Sequence, residues 1–135
     1  MSYLLDTNTC VECLRHRNAA IIARVASTSP SEIYLCSVVK AELFYGAHRS
    51  QHVQRNLDKV EDFVRPYHSH PFDDDAARAY GRIRTDLERR GLVIGPNDLL
   101  IASIALVHGL TLVTHNTSEF RNVDGLSLED WHGTA

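Results

Sequence analysis

The run Leu99-Leu100-Ile101-Ala102-Ser103-Ile104-Ala105-Leu106-Val107 is apolar almost all round. A helix without a polar face has to be buried. The run is also much shorter than the ~20 residues that cross a bilayer. A globular core is the remaining place for it. Asn97-Asp98 before it and Gly109 after it set the expected helix to begin at Asp98 and end before the glycine.

Short apolar runs and helical patterns alternate along the rest of the chain. Tyr3-Leu4-Leu5 suits a central parallel strand buried on both faces, with Thr7 or Asn8 capping a helix over 10–15. A helix over 19–26 ends before Ser27-Thr28-Ser29-Pro30, and a strand over 33–36 leads into a helix that Ser37 caps and that runs to about Ala47. Val53, Leu57, Val60 and Val64 recur at helical spacing over 51–63, and Pro66 stops that helix. A short strand within 67–72 would put His68 and His70 on one face, where surface or partial packing is the ordinary role. Asp73-Asp74-Asp75 complements the dipole of a helix running to about Arg90. A strand over 111–114 exits through 115–120, and 126–128 adds an edge strand. This alternation predicts an α/β fold over 1–135: one domain, with a central parallel sheet flanked by helices on both faces.

The 135 residues are 44% hydrophobic and 23% charged, which excludes a disordered chain. The net charge of −3 argues against a strongly basic nucleic-acid binder but leaves room for a local basic groove. With no basic segment and long apolar run at the N-terminus, a soluble cytoplasmic protein without a membrane segment is expected. Three cysteines, an odd number, fit a reducing compartment. Cys10-Val11-Glu12-Cys13 stands where a thiol redox pair would sit, although two cysteines at i and i+3 more simply pack on one helix face. His16 extends the row to C-x-x-C-x-x-H, a weak metal signal without a fourth ligand at zinc spacing.

Chemistry gathers at the strand ends. Two strands run out into polar residues, Asp6-Thr7-Asn8 and Thr114-His115-Asn116, and two helices carry an early carboxylate, Glu42 and Asp98. Right-handed crossovers return every strand in the same direction, so these ends share one edge. Asp6, Glu42, Asp98 and the segment from Asn116 to Glu119 can therefore meet in one crevice, where open α/β sheets bind ligands. Clustered carboxylates repel and lose hydration unless a cation compensates. Oxygen donors favour Mg²⁺ or Mn²⁺ over zinc, and such a site suits metal-assisted phosphodiester hydrolysis. There is no P-loop, G-x-S-x-G elbow or G-x-G-x-x-G fingerprint.

Four segments, in order, resemble the motifs of the PIN-domain ribonucleases, and more narrowly the VapC toxins of toxin–antitoxin pairs. They are Tyr3-Leu4-Leu5-Asp6-Thr7-Asn8, Lys40-Ala41-Glu42-Leu43-Phe44-Tyr45-Gly46-Ala47, Ile94-Gly95-Pro96-Asn97-Asp98-Leu99-Leu100-Ile101-Ala102, and Leu112-Val113-Thr114-His115-Asn116-Thr117-Ser118-Glu119-Phe120. The resemblance implies a Mg²⁺- or Mn²⁺-dependent endoribonuclease that cuts RNA, with tRNA as the substrate guess, and so inhibits translation. Asp6, Glu42 and Asp98 match the acidic ligands. At the fourth position many relatives have Asp where this chain has Asn116, with Glu119 as a further acid. Asn116 can bind a metal through its carbonyl but cannot act as a base. Thr7, Asn8 and Thr114 would support the ligands from behind. The resemblance also implies a homodimer and a VapB-like antitoxin covering the active-site groove, with DNA bound only through the antitoxin complex. Among the basic residues, Arg82 and Arg89 lie near one helix face and are the groove or antitoxin candidates. Two rivals remain: a non-catalytic RNA- or protein-binding module of the same fold, and a thiol redox protein using Cys10 and Cys13.

Overall fold

The computed structural model describes residues 1–133. Its framework is a five-stranded parallel sheet, built from β1 (Tyr3–Leu5), β2 (Ile33–Cys36), β3 (His68–His70), β4 (Thr111–Val113) and β5 (Leu128–Glu129) in the order β3-β2-β1-β4-β5. The registers pair Tyr3 with both Ile33 and Thr111, Leu5 with Val113, Cys36 with His70, and Val113 with Glu129. Leu4, Leu5, Ile33, Leu35, Leu112 and Val113 are fully buried, which explains why these strands read as short apolar runs rather than alternating ones.

Helices α1 (Thr7–Leu14) and α2 (Ala19–Ser27) connect β1 to β2, and α3 (Ser37–His48) and α4 (Val53–Val64) connect β2 to β3. The chain then returns across the sheet through α5 (Asp74–Arg89) and α6 (Pro96–Val107) to β4, and the one-turn helix α7 (Thr117–Phe120) precedes β5. α1 packs on α2 and α3, α3 on α4, and α5 on α6. Right-handed crossovers produce this grouping when the first two connections travel one way along the sheet and the third travels back. Helix α6 behaves as its sequence demands, with Ile101, Ala102, Ile104 and Ala105 wholly out of solvent. Each buried Ile side chain contributes about 1.5–3 kcal/mol relative to exposure. Among the described residues no helix is long and apolar enough to cross a membrane.

Several local expectations are corrected. Helix α1 starts at Thr7 rather than Cys10, because Asp6, not Thr7 or Asn8, is the N-cap: its carboxylate accepts from the Thr9 N–H at 2.9 Å. Cys36 rather than Ser37 stands at the cap of α3, and it makes no side-chain cap bond. Helix α6 begins at Pro96, whose missing N–H costs nothing in a first turn, so Asp98 lies within that turn. The edge strand is two residues later than predicted, because the Leu126 N–H is taken by the Val123 carbonyl in a turn.

The strand order decides where a site can form. From β1 the sheet grows outward through β2 and β3, then resumes on the other side of β1 with β4. This reversal leaves a crevice at the carboxyl ends of β1 and β4, the topological switch point of an open α/β sheet.

Candidate active site

Asp6 leaves β1 directly into that crevice and is only 4% exposed. Its backbone N–H donates to the Val113 carbonyl at 3.1 Å, tying it to the end of β4. Burial pushes its carboxyl above the ordinary Asp value, hydrogen bonds from Thr114 and Thr9 pull it back, and Glu42 adds repulsion. Thr114 is fully buried, and its hydroxyl also accepts from the Asn116 N–H at 3.0 Å. Asp6 thus serves as helix cap and crevice carboxylate with one side chain.

The other acids arrive from three separate elements. Glu42, on α3, accepts from the Thr7 hydroxyl at one oxygen and from the Asn97 amide at 3.3 Å at the other. Asp98, in the first turn of α6, is half-buried, and its pKa is raised to about 6 by burial first, then by the charges of Asp6, Glu119 and Glu42. Glu119, on α7, takes a close hydrogen bond from the Asn116 side-chain amide. The site thus gathers Asp6, Glu42, Asp98 and Glu119, with Thr7, Thr114 and Asn116 as hydrogen-bonding supports. Asn116 holds Glu119 rather than replacing it as a charge.

Asn8 does not join this group. It is exposed on the first turn of α1, on the wall of a neighbouring cavity with His115. Arg82 and Arg89 are exposed on α5, and among the described residues no hydrogen bond or ion pair joins either to the four acids. Neither cysteine suits redox chemistry: burial drives the Cys10 thiol far up and lifts the Cys13 thiol to about 11, so the thiolate is disfavoured at both.

Sequence reasoning left two contributors unassigned, Thr9 and Asn97. Thr9 holds Asp6 through a bond three residues long, just past the first motif segment, and Asn97, inside the third, holds Glu42 across 55 residues, which leaves no local signal. Tyr45 lies one turn beyond Glu42 on α3, is 63% exposed, and has the Arg49 guanidinium 5.4 Å from its ring centre.

The donors are all oxygen, and their mutual repulsion leaves a net demand for positive charge, which fits Mg²⁺ or Mn²⁺. Among the described residues no three acidic, His or Cys side chains converge on one ligating point. The match is therefore to an ion that takes one or two carboxylates directly and reaches the others through retained waters.

Comparison with known proteins places this geometry. The family model of the PIN domain matches residues 3–126. The tRNA(fMet)-specific endonuclease VapC of Shigella flexneri is 39% identical over 131 residues, spanning 97% of this chain and 98% of the relative. Ribonuclease VapC2 of Rickettsia felis is 38% identical, with 97% and 98% covered. Among solved structures, VapBC2 from Rickettsia felis bound to a DNA fragment from its promoter matches with a TM-score of 0.90 at 37% identity, covering 97% of this chain and 99% of that one. DNA-bound VapBC from Salmonella typhimurium gives 0.91 at 37% identity, with 97% and 98% covered.

Proposed function

This chain belongs to the PIN domain family, and we propose that it is an endoribonuclease toxin that hydrolyses phosphodiester bonds in RNA and is silenced by a VapB-like antitoxin. The observation that carries the reading is the meeting of four carboxylates at the sheet's switch point, where burial and then the charges of the other three raise Asp98 to about 6. Full-length relatives named as ribonucleases, one of them as a tRNA(fMet)-specific endonuclease, support it. We extend the reading to tRNA as substrate, Mg²⁺ or Mn²⁺ as cofactor, a homodimeric state and a cytoplasmic location. The antitoxin assignment rests on the neighbouring VapBC complexes, and promoter DNA would be engaged through that partner.

Asp6 and Asp98 would hold the ion directly, with Glu42 and Glu119 oriented toward its waters. The ion, when bound, lowers the pKa of water and offsets the charge that builds on the phosphate. The protein's own part is preorganisation. Thr9 and Thr114 fix the Asp6 carboxylate, Thr7 and Asn97 fix Glu42, and Asn116 fixes Glu119, so none of these groups has to reorient during reaction. In the metal-free chain burial and the neighbouring carboxylates raise Asp98 to about 6, so a cation held there would displace the proton and relieve the repulsion.

The test is cleavage of labelled tRNA by the purified chain with Mg²⁺, with Mn²⁺ and with EDTA, alongside an identically prepared Asp98→Asn variant. Discrete fragments that need the ion and vanish in the variant are expected. Equal cutting by both proteins would reduce the activity to contamination and remove the catalytic assignment.

A further inference from the structure

We propose that the cavity beside the acidic crevice is a subsite for an unpaired RNA base flanking the scissile phosphate, an inference that rests on the nuclease reading. The cavity has a volume of about 180 Å³. Its walls are Asn8 and Glu12 from α1, Ile21 from α2, His115 at the exit of β4, and Asp130 and His132 after β5. It shares two structural members with the acidic crevice. The α1 turn that presents Thr7 to Glu42 presents Asn8 to the cavity, and the segment that carries Asn116 carries His115. A nucleotide whose phosphate lies at the acids therefore has a neighbour within reach of this cavity.

The cavity is built, not merely open. The His115 and His132 rings stack with centroids 4.0 Å apart and planes at 22°. Asp130 holds both residues: one oxygen lies 2.9 Å from His115 Nδ1, and the other accepts from the His132 N–H at 2.8 Å. The Asn18 amide donates to the His132 carbonyl at 2.8 Å and anchors the segment to the start of α2. Yet the His115 side chain remains 64% exposed, so this ordering gains little from burial. What it yields is a pair of fixed aromatic planes at a cavity mouth.

The lining selects the ligand's chemistry. Unpaired RNA bases stack on aromatic side chains, histidine included, and are read along their hydrogen-bonding edges. Stacking needs no particular charge on either imidazole. Asn8 supplies a donor and an acceptor, and Glu12 supplies acceptors only. The carboxylates of Asp130 and of Glu12, the latter paired with Arg17 at 3.1 Å, present acceptors to the N–H groups of a base and none of the donors a phosphate needs. The occupant is therefore a base, with the phosphates left outside.

The experiment uses an RNA hairpin whose loop the wild type cuts, together with copies lacking one base at each position around the cut. Removal of one flanking base should raise KM about tenfold, the size of a lost base–aromatic stack. His132→Ala should raise KM on the intact hairpin by a similar factor and add nothing on the copy lacking that base. His132→Phe should restore KM, and unchanged unfolding midpoints would exclude a misfolded variant. An unchanged KM in His132→Ala, a loss in kcat alone, or a loss undiminished on the base-less copy would each overturn the subsite while leaving the nuclease intact. If the wild type cuts no RNA, the nuclease reading fails; Kd values for a tRNA anticodon hairpin and its copies lacking one loop base then decide the base site, and equal Kd for wild type and His132→Ala on all of them would overturn it.

Discussion

Asp6 carries two duties that a pair of substitutions separates. Asparagine caps a helix about as well as aspartate, whereas alanine loses about 1 kcal/mol. Asp6→Asn should therefore keep the urea midpoint of the wild type and lose RNA cleavage, and Asp6→Ala should lose both. An active Asp6→Asn protein would remove Asp6 from the chemistry. Asp98 gives a pH signature. Its folded pKa of about 6 lies above the ordinary value of about 3.9, so the folded chain binds a proton that the unfolded chain has released. In EDTA, stability should be greatest below about 4 from this group and decline as pH rises through 6. Its half-buried position screens the size of the effect. Asp98→Asn should flatten that part of the curve, as measured by urea unfolding at pH 5 and 7.5. At this scale the sequence exposed Asp6 and Asp98 well, since one follows a strand directly and the other opens an apolar helix, whereas Glu42 and Glu119 stood out through the motif resemblance. It concealed how they are held. The Asn97–Glu42 contact depends on how α6 and α3 meet, while the Asn116–Glu119 contact is local, set by the turn that opens α7.

Between elements, ring stacking joins parts that the hydrogen-bond ladder leaves separate. Tyr34 on β2 stacks on His70 of β3 at 5.0 Å, and His70 stacks on His108 beyond α6 at 3.8 Å. Burial lowers the pKa of His70, the nearby His108 and His68 lower it further, and Asp73 opposes them. The folded chain therefore resists protonation at this site. The stability it contributes is present above the ordinary histidine value of about 6.5 and is lost as pH falls through the lower folded value. This runs against the Asp98 effect. His70→Phe keeps a ring without the charge and should remove the acid-side loss in a thermal unfolding series from pH 7 to 5; an unchanged acid limb would clear the stack of that role. The histidines were visible in sequence as sharing one strand face. Their partner His108, 38 positions further on, was not, because nothing local ties a helix end to a particular strand. Element existence was legible from apolar runs and periodicity. Element starts were less so, as at Pro96 and Cys36, where tertiary packing and the fixed proline φ outweigh side-chain capping preference.

Across the whole molecule, the parallel alternation was readable from one sequence, but the strand order was not: pairing β1 with β4 is a choice among topologies that no local signal makes. That pairing has a consequence for how the protein comes into being. The centre of the sheet is its earliest-made strand, and half of that strand's hydrogen-bond partners lie beyond residue 110. Contacts of such sequence separation are closed late and at high entropic cost, so folding should be slow for a chain of this size. A chain cut after residue 107 should fail to gain protease resistance however many helices it retains; a resistant fragment would refute this dependence. On the ribosome, the same geometry keeps Asp6 waiting for Thr114 and Glu119, so the segment that begins the crevice and the segments that complete it are separated by nearly the whole of translation. A protein proposed to stop translation is thereby built to stay harmless until its own translation is almost finished.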